Sequence, residues 1–535
     1  MIKKIKVSTL ALVFGLTAAF FQSAVAQQKY DICIYGGTSA GVIAAYTSKK
    51  MGKSVILIVP DGHIGGLSSG GLGQTDIGNK QAIGGLSREF YKQMGKAYGQ
   101  AESWKFEPKE ASKLFLGYLK ELNIPVISGQ RVKKIRKKQT KIESLQLTNT
   151  YGKSKATQQI EATVFMDCSY EGDLFALAGV SYTVGREDNT VYNETLSGYQ
   201  MATYHKQSGW HQFPDGISPY KVADDPSSGI VYGVQKDKPS KTGQGDHKVQ
   251  AYNFRICLTD SAENRIPITR PTDYDSTKYE LMARLFKAQP KMNKVNDYFI
   301  WSKMPNRKTD INNRGGFSTD MIGANYKWPE ASFKQRKLIY EDHLSYAKGL
   351  LYFISSDHRV PEYLREYVSN WGYPKDEYME NNHFSPQLYV REGRRMIGEY
   401  VMTEHNCRGK EVVSDPIGMA AYTMDSHNTQ RIIVDGMVKN EGNVEVGKFP
   451  PYPISYRAMV PKRKECSNLL VPVSLSASHI SFGSIRMEPV FMILGQSAAI
   501  AAVQAIDDKC SVQDVDYGRL KVELLKQGQV LDVAH

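Results

Sequence analysis

The sequence predicts an α/β protein whose parallel sheet is begun at one end of the chain, completed from the other and interrupted by a large insertion. Three observations carry this reading. Residues 30–69 show a strand, glycine turn, helix and strand in succession; residues 468–506 show a buried-strand run followed by a long apolar helix; and the stretch between has a different texture, rich in Tyr, Trp, Asn and Pro.

The opening unit runs YDICIYGGTSAGVIAAYTSKKMGKSVILIVPDGHIGGLSS. Ile32, Cys33, Ile34 and Tyr35 form an apolar run of strand length that breaks at Gly36-Gly37. An Ala-rich helical run follows over residues 40–48, and a second strand over Val55–Val59. This is the first βαβ unit of a Rossmann-like sheet, in which a glycine turn lets the backbone approach a diphosphate while a helix N-terminus points free N–H groups at it. The full fingerprint is G-x-G-x-x-G; here Thr38 stands in the second glycine position between Gly36 and Gly41. The acidic residue expected at the end of the second strand is replaced by Val59, with Asp61 two residues later. An ordinary βα turn without a ligand is the competing reading.

Residues 63–73 contain five glycines in eleven positions, a composition that excludes a regular element and favours a loop pressed against a flat ring, with a plain linker as the alternative. Helices are expected over residues 84–98 and 108–122. Short strands follow over 124–128, 130–137, 142–148 and 160–166, as a small antiparallel insertion whose last strand returns to the main sheet. A polar loop, residues 167–173, leads into a helix. Residues 330–357 read as a helix with Leu338, Tyr340, Leu344, Ala347, Leu351 and Ile354 about one turn apart. Near the C-terminus residues 468–473 read as a buried strand, and residues 487–506 as an apolar helix broken by Gly495. The expected division is a leader at 1–26, the first part of the nucleotide-binding domain at 27–189, an inserted mixed α/β substrate or cap domain at 190–400, and a C-terminal part at 401–535 that completes the domain and its site.

The leader reads as a secretory signal peptide. Lys3, Lys4 and Lys6 precede an apolar run over residues 7–21, and Ala24-Val25-Ala26 supplies a small-x-small cleavage site. Cleavage after Ala26 leaves 509 of 535 residues, and loss of the three lysines lowers the net charge from +13 to +10. A periplasmic or secreted protein is expected, with no membrane-spanning segment after residue 26. The cluster Lys133, Lys134, Arg136, Lys137 and Lys138 reads as a solvated strand edge or, alternatively, an anion patch. An exported chain without a binding motif is not expected to bind nucleic acid. The six cysteines are widely spaced and fit neither a metal site nor a disulfide framework, so no metal is expected.

Taken together, YGGTSAG at residues 35–41, GHIGGLSSGGLG at 62–73, MDCSYEGDLFALAGVSYTVGRE at 166–187, VQAYNFRICLT at 249–259, LYVREGRRMIGEY at 388–400, PISYRAMVPK at 453–462 and SASHISFGSIRMEPVFMILGQSAAIAA at 476–502 resemble the secreted bacterial FAD-dependent oxidoreductases within the glutathione-reductase-like flavoproteins. The resemblance implies FAD lying across the sheet, its diphosphate on Gly36, Gly37, Thr38, Ser39, Ala40 and Gly41. Backbone groups at Val132, which begins a strand after a glycine-containing turn, would hold adenine. The flavin ring would rest between Gly65, Gly66, Leu67, Ser68 and Gly71 on one side and Arg486 and Met487 on the other. The substrate site it implies draws on residues 388–395 and 425–427 and on Tyr456 and Arg457.

Those residues suit oxidation of an alcohol, in which a base takes the hydroxyl proton as hydride leaves the carbon. His427 is the first candidate base and His479 the second, with Arg391 and Arg457 as forked donors and Tyr456 beside them. Structural histidines, and a helix surface of ion pairs for the Arg/Glu run, are the plain alternatives. The abundance of Tyr and Trp is consistent with a small-molecule or oligosaccharide substrate of carbohydrate type. A flavin-containing lyase or hydrolase acting on glycosides without net redox, or a glycan-binding protein on a degenerate flavoprotein fold, are the alternative functions. Oligomeric state and electron acceptor have no signature in the sequence.

Overall fold

The computed structural model describes residues 27–152, 156–200 and 211–533. The expected signal peptide at 1–26 lies outside them.

Strand β1 (Gln27–Tyr35), helix α1 (Ser39–Lys50) and strand β2 (Val55–Val59) form the expected unit, with β1 and β2 parallel and Ile32 opposite Val55. Next come a short helix α2 (Gly66–Ser69), α3 (Gly85–Ala97) and α4 (Pro108–Glu121). Strands β3 (Val126–Ser128), β4 (Gln130–Lys138), β5 (Lys141–Asn149) and β6 (Ala156–Asp167) follow, then α5 (Asp173–Leu177). The sheet order is β3-β2-β1-β6-β5-β4. β6 runs antiparallel to β5 but parallel to β1, and the late strand Leu469–Leu470 pairs in parallel with its far end at Phe165 and Met166. Both ends of the chain thus build one sheet.

Strand alternation assigns each face its layer. Ile32, Ile34, Val55, Leu57 and Val59 turn to the helical core, whereas Cys33, Tyr35, Ile56 and Ile58 turn to a second layer with Val132, Leu145 and Phe175. The basic cluster lies on edge strand β4, with Lys133, Lys134 and Lys138 exposed. All six cysteines are free thiols.

Three local expectations change. The glycine-rich run does hold a regular element, α2, because Gly65 and Gly66 take positive φ values of 96° and 56° and turn the chain into one helical turn. Gly495 does not break its helix, which runs unbroken over Glu488–Asp507. A Cβ there would stand 2.4 Å from the Ala40 carbonyl oxygen, so this glycine is the point where α1 and the late helix cross. That helix is also long and apolar enough to cross a membrane, contrary to expectation, but 94% of its apolar window is buried inside the protein and its composition serves the core.

The insertion has its own core, in which residues 213–390 are joined by Val438. Its long helix, Phe333–Ser356, starts at a capping box between Ser332 and Gln335. Leu338, expected on the buried face, is 59% exposed. Lys308 fastens this part to α4: its Nζ lies 2.7 Å from Glu107, 2.9 Å from Asp376 and 2.6 Å from Glu377. Those three carboxylates converge closely enough to hold a cation, and the lysine is that cation. Replacing Lys308 with methionine leaves Glu377, 1% exposed, without a counter-charge and Glu107, equally buried, with only Lys109 at 3.3 Å. We expect a loss of about 3–5 kcal/mol, read as a fall in the urea midpoint.

Candidate functional site

The glycine turn is held by close backbone packing. A Cβ on Gly36 would lie 2.5 Å from the Cys168 carbonyl carbon, one on Gly37 2.6 Å from Val59 Cγ1, and one on Gly41 2.0 Å from the Gly36 oxygen. Thr38 replaces a glycine because it is the helix N-cap: its Oγ1 accepts from Gly41 N–H at 3.2 Å and donates to the Cys168 oxygen at 2.8 Å. The N–H groups of Ser39 and Ala40 have no partner among the described residues.

Beside this turn lies a cavity of about 390 Å³. Gly36, Gly37, Thr38 and Gly66 line one side, and Trp328 and Arg336 from the insertion line the other. Asp61 also lines it, so the acid missing at Val59 is supplied two residues later. Free N–H groups at a helix N-terminus suit a diphosphate, and a carboxylate at the end of the second strand suits a ribose, so the residues fit a dinucleotide. The Val132 side chain is packed with Tyr35 and Ile58 in the second layer, and the residue does not line this cavity.

Glu488, which the sequence reading missed, ties the glycine segments together. Its carboxylate accepts from Ser39 Oγ at 2.6 Å, Ser68 Oγ at 3.0 Å and Tyr170 Oη at 2.6 Å, and Tyr170 Oη accepts from Leu67 N–H at 2.9 Å. Burial raises its pKa in spite of those donors. Gly65 packs against Phe115, Gly66 against Tyr170, and Gly71 against the Arg255 oxygen, each too close for a side chain.

A second cluster gathers His427, Arg391 and Arg486. His427 Nδ1 lies 2.8 Å from Asp320 Oδ2, and its Nε2 lies 3.6 Å from Asp425 Oδ2. Arg391 Nη2 lies 2.9 Å from Asp320 Oδ1, with its guanidinium 4.6 Å from the Tyr389 ring centre. Arg486 donates to Tyr389 Oη at 2.9 Å and to the Asp425 carbonyl at 2.9 Å. Met487, next to Arg486, is the N-cap residue of the late helix and is buried. Burial and Arg391 oppose protonation of His427, yet Asp320 and Asp425 raise its pKa above the ordinary imidazole value. Against burial, His427 and Arg486 hold Asp425 below the usual carboxylate range. Arg391 stands in an extended buried segment, not on an ion-paired helix surface.

Of the other expected residues, His479 borders this cluster, because Glu392 on its Nδ1 also accepts from Gln250 Nε2 at 3.0 Å, whereas Tyr456 and Arg457 lie apart. His479 is locked between Glu392, at 2.8 Å, and Ser426 Oγ, at 3.0 Å, while burial together with Arg395 and Arg186 pushes it down to about 3. It is neutral and already bonded at both nitrogens. Tyr456 and Arg457 sit on the turn Tyr456–Met459, which directs them elsewhere: Tyr456 Oη donates to the Val512 oxygen at 2.6 Å, and Arg457 pairs with Asp415 at 3.0 Å. Tyr389 and Asp425, from the expected stretches 388–395 and 425–427, complete the cluster with Asp320 and Gln250, which were missed; Gln250 Oε1 accepts from His427 N–H at 3.0 Å. The sequence signal for Asp425 was its place two residues before His427, whereas Asp320 lies 107 residues away.

No curated protein matches this chain. Among solved structures it is similar to THI4 from Thermovibrio ammonificans (18% identity, 29% of this chain and 64% of that one, TM-score 0.24). It is also similar to the bacillithiol disulfide reductase Bdr from Staphylococcus aureus (18%, 26% and 38%, TM-score 0.19) and to L-amino acid deaminase from Proteus vulgaris (12%, 30% and 52%, TM-score 0.22). In each case the chain spans less than two thirds of the structure it matches. The family model for FAD dependent oxidoreductase, in contrast, matches residues 31–524, from the first strand to the last helix. With a glycine turn, helix N-terminus and cavity that fit its dinucleotide, the chain belongs to the FAD-dependent oxidoreductase family and is an enzyme that uses FAD.

Proposed function

We propose that the enzyme is exported, to the periplasm or beyond, and oxidises a polyhydroxylated, carbohydrate-like substrate, a small molecule or an oligosaccharide. FAD, when bound, supplies the two-electron acceptor for the hydride. Gly36, Gly37 and Thr38 with the free N–H groups of Ser39 and Ala40 hold its diphosphate, and Asp61 its ribose. His427 takes the hydroxyl proton at Nε2, because Nδ1 faces Asp320 and is fixed as the N–H tautomer. Asp320 orients the ring and balances the charge it gains. Arg391 and Tyr389 form a cationic and aromatic wall suited to a sugar hydroxyl and ring face.

The observation that carries this reading is the buried Asp320–His427 pair, with Arg391 on the same carboxylate. It is tested with the protein from Gln27 onward. Purified, it should show flavin absorption that is released on denaturation. Under anaerobic conditions a panel of sugars and polyols should include members that bleach the flavin bands. A panel that leaves the bands intact while another alcohol or an amine bleaches them would sink the carbohydrate reading.

A further inference from the structure

Arg431 stands on the hairpin Gln430–Val434 with Met437–Glu441, which carries it into the core of the insertion. It is 2% exposed, with its guanidinium 5.3 Å and 5.0 Å from the ring centres of Phe213 and Phe317. Nε donates to Asn440 Oδ1 at 3.0 Å and Nη2 to the Gly316 oxygen at 3.1 Å. Among the described residues Nη1 has no hydrogen-bond partner, and no carboxylate lies within ion-pair distance of the group. The contrast with Arg186, Arg255, Arg391, Arg395 and Arg486 is complete, since each of those buried arginines has its acid. Burial, offset only in part by Asp320 beyond ion-pair distance, pushes Arg431 down to about 10, so it is still cationic at neutral pH. A buried cation left without an anion is costly.

The free nitrogen faces a cavity of about 200 Å³. A Cβ on Gly233 would stand 3.1 Å from Nη1, which places that nitrogen at the wall formed by residues 232–235. Those residues are fixed against the hairpin: Gln235 N–H donates to the Arg431 oxygen at 2.8 Å, and Gln235 Oε1 accepts from Arg431 N–H at 2.9 Å. Tyr232, partly exposed, and Ala324 also line the space. Asp320 completes it, and the same carboxylate already binds Arg391 and His427. The cavity and the candidate catalytic cluster therefore share one residue as their wall.

We propose that this cavity is a subsite for an oxyanionic substituent of the substrate, a carboxylate or a sulfate, bound by Arg431 Nη1. A negatively charged acceptor there receives a charge-assisted hydrogen bond from a preorganised donor and supplies the counter-charge Arg431 lacks. The assignment of the group to a substrate rests on the oxidation reading above and narrows it from neutral polyols to acidic or sulfated sugars. Binding of the anion does not depend on that reading.

The test is calorimetric titration of the FAD-loaded protein with sodium sulfate at constant ionic strength, then with glucuronate and with glucose. Saturable sulfate binding is expected, weakened at least about tenfold by Arg431→Gln through loss of a charged donor. Ala324→Leu, which fills the cavity and leaves Arg431 and its bonds in place, should weaken it similarly and guards against misfolding of the first variant. Glucuronate should displace sulfate, and glucose should not. No saturable sulfate binding, or binding that both variants retain, overturns the subsite. Sulfate that glucuronate cannot displace overturns its assignment to a substrate group. Because no turnover is read, failure of the oxidation reading leaves the anion result distinguishable.

Discussion

His427→Asn is expected to lower the rate of flavin reduction by substrate about 10²–10⁴-fold, the range for loss of a positioned general base. FAD content should be retained, because the glycine turn and its cavity do not involve this side chain. The pH dependence carries the sign. A base must be deprotonated, so the rate of flavin reduction rises as pH passes upward through the His427 pKa. That pKa lies above the ordinary imidazole value because Asp320 and Asp425 outweigh burial and Arg391. Asp320→Asn removes one of the two negative charges and leaves Arg391 beside the ring. The rising limb should therefore move to lower pH while the maximal rate falls, as the ring loses its orienting carboxylate. Stopped-flow reduction across pH decides it: a limb unmoved by Asp320→Asn would mean that another group titrates. His479, held neutral between Glu392 and Ser426, should contribute no limb of its own.

Gly41→Ala is the second large effect expected. The added methyl would lie 2.0 Å from the Gly36 oxygen, a backbone atom that cannot rotate aside, so α1 must shift away from the turn. Overpacking of this kind costs about 1–3 kcal/mol, and here it also displaces the free N–H groups of Ser39 and Ala40. The protein should purify largely without flavin colour and take up added FAD at least about tenfold more weakly, since misplacing even one charged hydrogen bond costs that much. Thr38→Ala is the control. It removes the N-cap bonds to Gly41 and Cys168, worth about 1 kcal/mol of helix stability, without adding an atom to the turn. Visible absorbance per protein and the thermal midpoint separate the two. Wild-type flavin content in Gly41→Ala would refute the account of the turn.

Much of the frame was legible because it is local. Apolar runs of strand length, the glycine turn and the Ala-rich helix lie within about forty residues of one another, and hydrophobic period and turn chemistry act at that range. The late strand and helix were legible for the same reason, and their apolar composition already placed them in a buried sheet. What composition misjudged was each glycine's partner. Gly495 reads as a helix break until α1 is laid across it, and Gly65 and Gly66 read as loop until Phe115 and Tyr170 close on them. Leu338 fits a helical stripe, but which part of a stripe meets the core depends on the neighbouring elements.

The sequence by itself determined the class of sheet, the βαβ unit with its glycine turn, and the family resemblance that brings FAD with it, because these depend on residues near one another in the chain. It also brought forward His427, Arg391 and Arg486. Only the tertiary structure decided which groups act on them: Asp320 reaches His427 from 107 residues away, Glu488 reaches Ser39 from 449, and Arg431 is left without the acid that every comparable buried arginine has. It also separated Tyr456 and Arg457 from the candidate base and closed both nitrogens of His479 with Glu392 and Ser426. Electrostatic pairing is set by distance through space and by burial, neither of which has a period or a spacing along the chain.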